Sequence, residues 1–514
     1  MKKKAGSIFT TAYLVIMFCV YPFYIENGYI NIGEAKNHFF LCVTMAACVV
    51  FTILCVARCI SGIMDKRRNG QHLMIDFNKV SGIDLLVLLF ATQIFLSYVS
   101  SNYKDITLWG EEGWYMGLVP LLLLCGIYFF ISRLWQGDVH LAYLIMGASA
   151  VVFLLGICNR YSFYPISLAG SQPGFISTLG NINWFCGFLS VVAPIGIGMF
   201  VIEDHVWKKA AAGLYAVITF MTGFVQGSDS IFLWYFAVFF LLLWIAVGKK
   251  EYVRNFFLLL TLFGLSAQMV KVLGLFAVDN YNHSAEGLCG YFMSSSISLW
   301  ITGMGLAGFL LTGRNTEGKK EIGQGGAKKA KGILLGSVVV ILLTWLIMSV
   351  IHTKSGISFL QGRSLFMLDG NWGHGRGTAF LAGIKTFVEL PPLQKLFGVG
   401  PDGFASAVYG LPEIAIMLRR AFGEARLTNA HNEIITGLIN TGIFGVLPYV
   451  SLLFTAVSKF IKKGREQREL YLLALCIFGY FIHNMVSFAQ VLNIPFLFMI
   501  LGMGEAICRK QKNL

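Results

Sequence analysis

Charged residues are scarce in this sequence. Only 13% of its 514 residues are Asp, Glu, Lys or Arg, whereas 56% are hydrophobic. A soluble protein of this length could not bury so much apolar surface, but a lipid bilayer supplies an apolar environment that replaces a protein core. The composition therefore excludes a soluble globular protein and predicts an integral membrane protein.

Patterns that would indicate disulfides, structural metal or ion-coupled transport are missing as well. Most of the eleven cysteines lie in or beside predicted membrane segments, and none lies in residues 352–433. The cysteines and histidines lack the spacing of a zinc site, and the membrane segments lack regularly placed acids. We therefore expect neither structural disulfides nor a structural metal ion, and an ion-coupled transporter is not the favoured class.

Apolar runs long enough to cross a bilayer recur along the whole chain. No small-residue cleavage site follows the first of them, which indicates a membrane helix rather than a removable signal. We predict an all-α polytopic membrane protein with about 12–14 transmembrane helices. The predicted spans are 8–25, 39–57, 83–99, 116–132, 141–157, 182–202, 210–225, 231–247, 256–276, 295–312, 333–351, 443–458, 470–487 and 494–507.

The positions of Lys and Arg predict which side of the membrane each loop faces. With the N-terminus in the cytoplasm, about 28 of the 40 Lys and Arg residues fall in cytoplasmic segments, as the positive-inside rule requires. Cytoplasmic loops, such as the basic linker 313–332, then explain the net charge of +14, which does not indicate a nucleic-acid partner. We predict a multi-pass protein of the cell membrane with both termini cytoplasmic. The chain divides into a membrane domain (1–351, spans one to eleven), an extracytoplasmic loop (352–442) and C-terminal membrane helices (443–514).

The large outer loop departs from this distribution because it is rich in basic residues. The positive-inside rule weakens for long loops, so a solvated outer cap is one explanation. The other is that the loop binds an anionic partner at the outer membrane surface, such as a phosphate, a diphosphate or an acidic sugar. Arginine suits phosphate because its planar guanidinium can bind two oxygens at once. The basic residues are Lys354, Arg363, Arg376, Lys385, Lys395, Arg419, Arg420 and Arg426.

Local patterns predict that this loop is folded. Apolar residues recur at helical spacing over Arg376–Glu389, and two prolines directly after this segment end the helix. Pro412 opens a second short helix. Between the two helices, the glycines and the proline of 398–401 predict a turn.

His431 is the residue of this loop best suited to proton transfer. Thr428 or Asn429 can cap a helix that begins near Ala430, which would place His431 in its first turn. A neutral imidazole there could accept a proton from a hydroxyl at physiological pH. The helix N-terminus would favour the neutral ring and attract anions. A purely structural histidine is the alternative.

Five segments combine in an order that is more specific than any one of them. They are Leu108-Trp109-Gly110 to Gly117, Thr178-Leu179-Gly180-Asn181-Ile182-Asn183-Trp184-Phe185, Gly375-Arg376, Leu396-Phe397-Gly398-Val399-Gly400-Pro401-Asp402-Gly403-Phe404, and Ala430-His431-Asn432-Glu433 through Thr441-Gly442-Ile443-Phe444-Gly445. In this order they resemble the O-antigen ligase and polymerase superfamily, over roughly residues 105–505.

That resemblance implies a membrane-embedded glycosyltransferase of the GT-C type. Its donor would be a glycan on a polyprenyl diphosphate. The acceptor would be a hydroxyl of a glycan, lipid or protein at the outer face of the membrane, and no nucleotide sugar, cofactor or metal would be needed. His431 would be the general base or position the acceptor, and Arg376 would bind the diphosphate and stabilise charge on the leaving group. Asn181, Asn183 and Asn432 would also bind substrate.

One departure from the superfamily's pattern concerns diphosphate binding. Members often carry Ser-Arg-Gly at the outer end of a middle span, whereas this chain has Gly227-Ser228-Asp229-Ser230. Asp229 therefore stands where a second phosphate-binding arginine would be, and an acid cannot replace a guanidinium against a diphosphate. Three explanations stay open: Arg160 or Arg363 supplies the cation, the donor differs, or activity is reduced. Asp229 itself could be structural or bind the acceptor.

Three other functions compete with a ligase. A polymerase of lipid-linked repeat units shares the donor and differs only in the acceptor. A transporter or flippase of a lipid-linked glycan would carry its functional groups near the bilayer midplane rather than at the outer surface. An inactive relative would act as a scaffold. Packing rather than substrate contact is the expected role of four polar residues on or between the last two spans, His483, Asn484, Gln490 and Asn493.

Overall fold

The described chain is helical almost throughout, which confirms the predicted helical class. One short antiparallel ladder pairs β1 (Phe175–Ile176) with β2 (Gly180–Asn181). Arg363 and part of the basic linker 313–332 lie outside the described residues. The computed structural model describes residues 2–68, 80–171, 174–276, 287–313, 322–361 and 364–512.

The helices follow one another with short connections. A π-helical turn (Ile16–Val20) and a 3₁₀ turn (Tyr21–Phe23) extend the first, and two further 3₁₀ turns (Ser358–Leu360 and Ser364–Phe366) follow the fourteenth. The described α-helices are α1 (Lys2–Val15), α2 (Ile32–Arg68), α3 (Gly82–Ser100), α4 (Lys104–Trp109), α5 (Leu118–Leu134), α6 (Val139–Arg160), α7 (Ile182–Val192), α8 (Pro194–Ile202), α9 (Val206–Val225), α10 (Ser230–Ala246), α11 (Lys250–Phe276), α12 (Gly287–Ser294), α13 (Ile297–Gly313), α14 (Gln324–Ser355), α15 (Trp372–Glu389), α16 (Pro392–Phe397), α17 (Phe404–Tyr409), α18 (Pro412–Phe422), α19 (Glu433–Asn440), α20 (Gly442–Lys463), α21 (Glu469–His483) and α22 (Ile494–Lys512).

Eight helical segments of the described chain are long and apolar enough to cross a membrane. The bent pair α12–α13, whose two parts meet at 66°, would add a ninth, and α5, α10 and α21 are shorter apolar helices. These segments are compatible with a multi-pass membrane protein, whereas the higher span count and the sidedness of loops and termini stay predictions. The eight segments are Ala5–Phe23, Ile32–Ala57, Gly82–Ser100, Val139–Arg160, Ile182–Ile202, Lys250–Leu275, Gln324–Ser355 and Gly442–Lys463.

Helices α7 and α8 form the centre of the bundle. Together they cover Ile182–Ile202, and 100% of the apolar stretch within this segment is buried inside the protein. Pro194 opens α8 because its missing N–H costs nothing at a first helical position. By contrast, only 6% of the apolar stretch of α14 is buried, as expected of a helix that faces lipid. The enclosed central helix begins beside Asn181 and Asn183, two of the predicted site residues.

Residues 372–440, here called the cap, contain α15–α19 and have an apolar core of their own. Ala379 and Ala382 of α15 are buried in this core with Phe404. At Gly383, a Cβ would lie 2.5 Å from the Ile435 side chain, so only glycine permits this close approach between α15 and α19. The loop predicted to be folded is therefore a packed helical unit.

Two cap helices begin at the predicted residues. Regular helical geometry in α15 extends from Arg376 to Glu389, because the three residues before Arg376 have left-handed backbone angles. Helix α18 begins at Pro412, whose fixed φ suits the first turn. The predicted turn between them is tied to the end of α19, since Val399 N–H donates to the Ile439 carbonyl oxygen (2.9 Å).

The third predicted cap helix begins later than expected. Helix α19 starts at Glu433 rather than near Ala430, because Asn432 is its N-cap and accepts a hydrogen bond from a first-turn N–H (2.9 Å). Asn429, a cap proposed from the sequence, instead accepts from the His431 N–H (2.9 Å) in an Asx turn. His431 therefore lies in the connection before α19 and not in its first turn.

A buried ion cluster holds the opposite end of the bundle together. Asp84 of α3 is 1% exposed. It accepts hydrogen bonds from Tyr128 Oη (2.6 Å) and Arg133 Nη1 (2.8 Å) of α5, and it also pairs with Arg509 of α22. Because the carboxylate serves two guanidinium groups, removing it leaves both of them without this buried partner.

Asp84→Ala is therefore expected to lower the free energy of unfolding by about 3–5 kcal/mol. Thermal unfolding of the purified protein in detergent measures the loss. Asp105→Ala, which removes an exposed acid near the start of α4, is the matched control and should unfold like the unmodified protein. Equal unfolding temperatures for the two variants would show that the cluster contributes no net stability.

Candidate functional site

The connection between α21 and α22, residues 484–493, brings two predicted site residues together. Arg376 Nε donates a hydrogen bond to the Val486 carbonyl oxygen (2.9 Å). The His431 ring packs edge-on against Phe488, with ring centroids 5.2 Å apart. Residues that are far apart in the chain therefore meet on one short segment.

His431 combines a strained backbone with an unoccupied ring nitrogen. Its φ of +49° lies in the left-handed region, which few non-glycine residues adopt and which is common at functional sites. Its Nδ1 is buried and has no hydrogen-bond partner in the part of the chain that the structure describes. Burial, and then the positive charge of Arg376, lower the pKa of His431 from 6.5 to about 4. The ring is thus neutral at physiological pH, as predicted. The cause is burial and the charge of Arg376, and not the N-terminus of a helix as the sequence suggested.

Arg376 is held by two of its nitrogens. Besides the bond from Nε, Nη1 donates to the Gly373 carbonyl oxygen (2.8 Å), whereas Nη2 bonds to no described residue. Burial lowers the pKa of Arg376 and the Asp229 carboxylate raises it, but a guanidinium titrates so far above neutrality that it stays charged. The side chain is therefore fixed in place with one edge left for a ligand.

Asp229 has a structural role that the sequence left open. Its Oδ1 accepts a hydrogen bond from the Cys289 N–H (3.1 Å) in the first turn of α12. Its Oδ2 lies where a Cβ on Gly287 (φ +88°) would be only 2.6 Å away. A carboxylate at a helix N-terminus satisfies N–H groups that have no partner within the helix and interacts favourably with its dipole. Asp229 thus caps α12 while its charge acts on Arg376.

Arg160 lies next to the segment that contains Asp229. It is the last residue of α6, is 5% exposed, and donates to the carbonyl oxygen of Gln226. The charges of Arg160 and Arg376 both act on the buried Cys186 thiol of α7. Of the two cations proposed to replace the missing arginine, Arg160 therefore lies close enough for its charge to act on the same thiol as that of Arg376, and Arg363 lies outside the described residues.

A chain of polar side chains connects the starts of α7, α10 and α19 to the end of α21. His483 and Asn484, for which the sequence predicts a packing role, are the fourth and fifth of its six members. Asn183 Oδ1 accepts from Ser228 Oγ (3.2 Å), Ser228 Oγ and Ser230 Oγ are 2.8 Å apart, Ser230 Oγ and His483 Nε2 are 3.2 Å apart, His483 Nδ1 and Asn484 Oδ1 are 3.2 Å apart, and Asn484 Nδ2 donates to Glu433 Oε2 (3.0 Å).

Asn432 and Glu433 attach the cap to the membrane helices. Asn432 Nδ2 donates to the Met485 carbonyl oxygen (2.8 Å). Glu433 Oε1 accepts from Tyr449 Oη (2.8 Å) of α20 and Tyr480 Oη (2.9 Å) of α21. Burial raises the pKa of Glu433. The two residues that follow His431 are therefore used in anchoring, whereas the His431 Nδ1 bonds to no described residue.

Asn181 shapes the start of the central helix. Its Oδ1 accepts from the Asn183 N–H (2.8 Å) and so caps α7. Because this oxygen already accepts a hydrogen bond, capping α7 explains the role of Asn181 without contact to a substrate. Asn183 in turn supplies the first acceptor of the polar chain.

The glycine-rich segment 108–117 docks on the cap through a buried acid. Asp402, in the predicted turn, is 6% exposed, and its Oδ2 accepts from the N–H groups of Glu111 (2.7 Å) and Met116 (3.0 Å). Burial raises the pKa of Asp402 to about 6. The sequence marked this residue only as part of a motif, because its two partners lie almost three hundred positions away.

A narrow cavity of about 90 Å³ lies beside the His431 region. Phe488, which contacts the His431 ring, forms one wall, and Phe90, Trp114 and Tyr449 contribute others. The lining is mostly apolar, so it suits a hydrocarbon segment better than a sugar.

No family model matches this chain, and no curated protein matches it significantly. The resemblance to the O-antigen ligase and polymerase superfamily therefore stays a prediction that depends on the motif residues.

Proposed function

We propose that this protein transfers a glycan from a polyprenyl-diphosphate carrier to an acceptor hydroxyl at the outer face of the cytoplasmic membrane. The observation that carries the proposal is the meeting of His431 and Arg376 on the α21–α22 connection. One supplies a neutral ring with a buried, unpartnered nitrogen, and the other a fixed guanidinium with a free edge. Transfer from a diphosphate carrier needs both a proton acceptor and a cation for the leaving group.

In the proposed reaction, the acceptor oxygen attacks the anomeric carbon of the glycan as the bond from that carbon to the diphosphate oxygen breaks. His431 accepts the proton of the acceptor hydroxyl. Arg376 stabilises the negative charge that develops on the departing polyprenyl diphosphate. The proton then leaves His431 to solvent or to the product diphosphate, which restores the neutral ring.

The positions of Asp229 and Arg160 support a modified diphosphate site. Asp229 offsets part of the charge of Arg376, and buried Arg160 supplies a second positive charge that acts on the same Cys186 thiol as Arg376. We infer that the missing arginine of the superfamily pattern is replaced in charge, although not in position, by Arg160.

The decisive assay uses the full-length protein in liposomes with a polyprenyl-diphosphate-linked glycan as donor. Parallel reactions contain either a second lipid-linked glycan or a lipid without diphosphate as acceptor. Product on the second lipid-linked glycan identifies a polymerase, and product on the other lipid identifies a ligase. Movement of donor across the bilayer without any transfer would contradict the proposal and identify a flippase.

The pH dependence of transfer follows from the lowered pKa of His431. Only the neutral ring accepts a proton, so kcat/KM is expected to stay constant as the pH falls through 6.5 and to decline only near the folded pKa of about 4. A bound diphosphate offsets the Arg376 charge and so raises the pKa of His431 in the complex. The acidic limb of kcat should therefore lie at higher pH than that of kcat/KM. Coincident limbs near pH 6.5 would contradict this assignment.

Asp229→Asn separates the two effects of this acid. The amide oxygen can still accept the Cys289 N–H, so stability should be retained, while the loss of negative charge near Arg376 should lower KM for the donor about two- to fivefold. Asp229→Ala removes the α12 cap as well and should cost about 1 kcal/mol of stability. Steady-state kinetics and thermal unfolding measure the two effects. An unchanged KM in Asp229→Asn would show that this charge does not act on the donor.

A further inference from the structure

A second cavity, of about 570 Å³, lies at the end of the bundle opposite the cap. Helix α21 begins at this cavity, at Glu469, and ends in the candidate site, at His483. With a rise of 1.5 Å per residue, the two sites are about 22 Å apart. The cavity has the volume of a typical small-ligand pocket, and none of the residues assigned to glycan transfer lines it.

Three polar atoms of the lining residues lack partners. Trp135 Nε1, Tyr143 Oη and Gln467 Oε1 are buried, and none of them bonds to another described residue. Trp135 is 6% exposed, so its indole N–H is withdrawn from the surface. Burying polar groups without hydrogen bonds is costly. Two donors on the α5–α6 side and one acceptor next to α21 therefore indicate a site for a polar ligand.

The charged lining residues exclude a purely anionic ligand. Four carboxylates face two cations around the cavity, and one of these cations, Arg468, already pairs with Asp204. Most of the uncharged lining residues are apolar, with Ile195, Met199 and Leu472 among them. The charged lining residues are Asp138, Glu203, Glu466, Glu469, Arg468 and Lys510.

We propose that this cavity binds a zwitterionic phospholipid that carries a primary amine. Its ammonium group lies against the carboxylate of Glu469 and donates to Gln467 Oε1. Its phosphate accepts from the Trp135 indole N–H and the Tyr143 hydroxyl. One acyl chain follows the apolar wall. A single amphiphile thus supplies a partner for each of the three buried polar atoms that bond to no other described residue, and a cation for the Glu469 carboxylate.

Native mass spectrometry of the full-length protein tests the proposal. The detergent-purified protein is mixed with equal amounts of phosphatidylethanolamine, phosphatidylcholine and phosphatidylglycerol. Phosphatidylethanolamine should be retained best, because phosphatidylcholine has no ammonium N–H groups and phosphatidylglycerol is anionic. Gln467→Met and Tyr143→Phe should each weaken retention of phosphatidylethanolamine by about tenfold, the effect of one lost hydrogen bond.

A matched pair of variants tests the location. Ala142 lines the cavity, whereas Leu144 is 51% exposed on another face of the same helix. Ala142→Phe should therefore abolish retention of phosphatidylethanolamine, and Leu144→Phe should leave it unchanged. Equal retention of the three lipids, or equal retention by the two variants, would overturn the proposal. Tyr143→Phe gives the same decision if Ala142→Phe fails to fold, and none of these outcomes depends on transfer activity.

Discussion

His431→Asn is expected to reduce glycan transfer by about 10²–10⁴-fold while leaving the fold intact. Asparagine tolerates the left-handed backbone that His431 adopts (φ +49°), so the substitution removes the imidazole without adding strain. It also removes the buried Nδ1, which bonds to no described residue. Initial rates with a polyprenyl-diphosphate-linked glycan measure the loss, and thermal unfolding tests the fold.

His374→Asn is the matched control for this variant. His374 also has a left-handed backbone (φ +60°) and lies near Arg376, but its side chain is exposed. We expect normal transfer from His374→Asn. Full activity in His431→Asn, or an equal loss in both variants, would remove the imidazole of His431 from the mechanism.

Arg376→Gln is expected to lower kcat by about 10²–10³-fold, the usual cost of losing one group that stabilises transition-state charge. The glutamine retains hydrogen-bonding capacity but carries no charge for the diphosphate. Arg376→Lys should recover only part of the rate, because an ammonium cannot bind Val486, Gly373 and a ligand in the planar geometry of guanidinium. Kinetics with varied donor concentration measure kcat and KM separately.

Arg420→Gln is the control for charge, because Arg420 is an exposed cation of the cap. It should transfer glycan at the normal rate. Guanidinium added to Arg376→Ala should restore part of the activity if the missing group acts on the substrate. Absence of rescue together with a lowered unfolding temperature would instead assign Arg376 to holding the cap on the α21–α22 connection.

Several features of the fold could be predicted because their causes are local. The apolar periodicity of Arg376–Glu389 and the fixed φ of Pro412 act within one or two turns, and both helices have the predicted starts. The predicted start of α19 was wrong because two nearby asparagines could each cap the helix. Asn429 uses its side chain in an Asx turn and Asn432 caps the helix, and nothing in the local sequence ranks one above the other.

The candidate site, by contrast, depends on contacts between residues that are far apart in the sequence. Arg376 and His431 could be selected by residue type and motif, but their meeting place, Val486 to Phe488, has no motif of its own. Ser230 and His483 are 253 positions apart and share a hydrogen bond. Such pairs form only when distant helices pack. The sequence therefore identified some members of the chain as polar residues, but it could not predict the hydrogen bonds between them.

The sequence by itself determined the helical class with apolar segments long enough to cross a membrane, the folded cap and the choice of His431 and Arg376 as candidates, because apolar length, periodicity and motif chemistry are properties of short segments. Only the tertiary structure decided what Asp229 does, why the ring of His431 is neutral and where Arg160 lies. These properties depend on burial and on charges brought close by packing. The ring of His431 is neutral because it is buried and lies near the positive charge of Arg376. Asp229 caps a helix that begins almost sixty residues later.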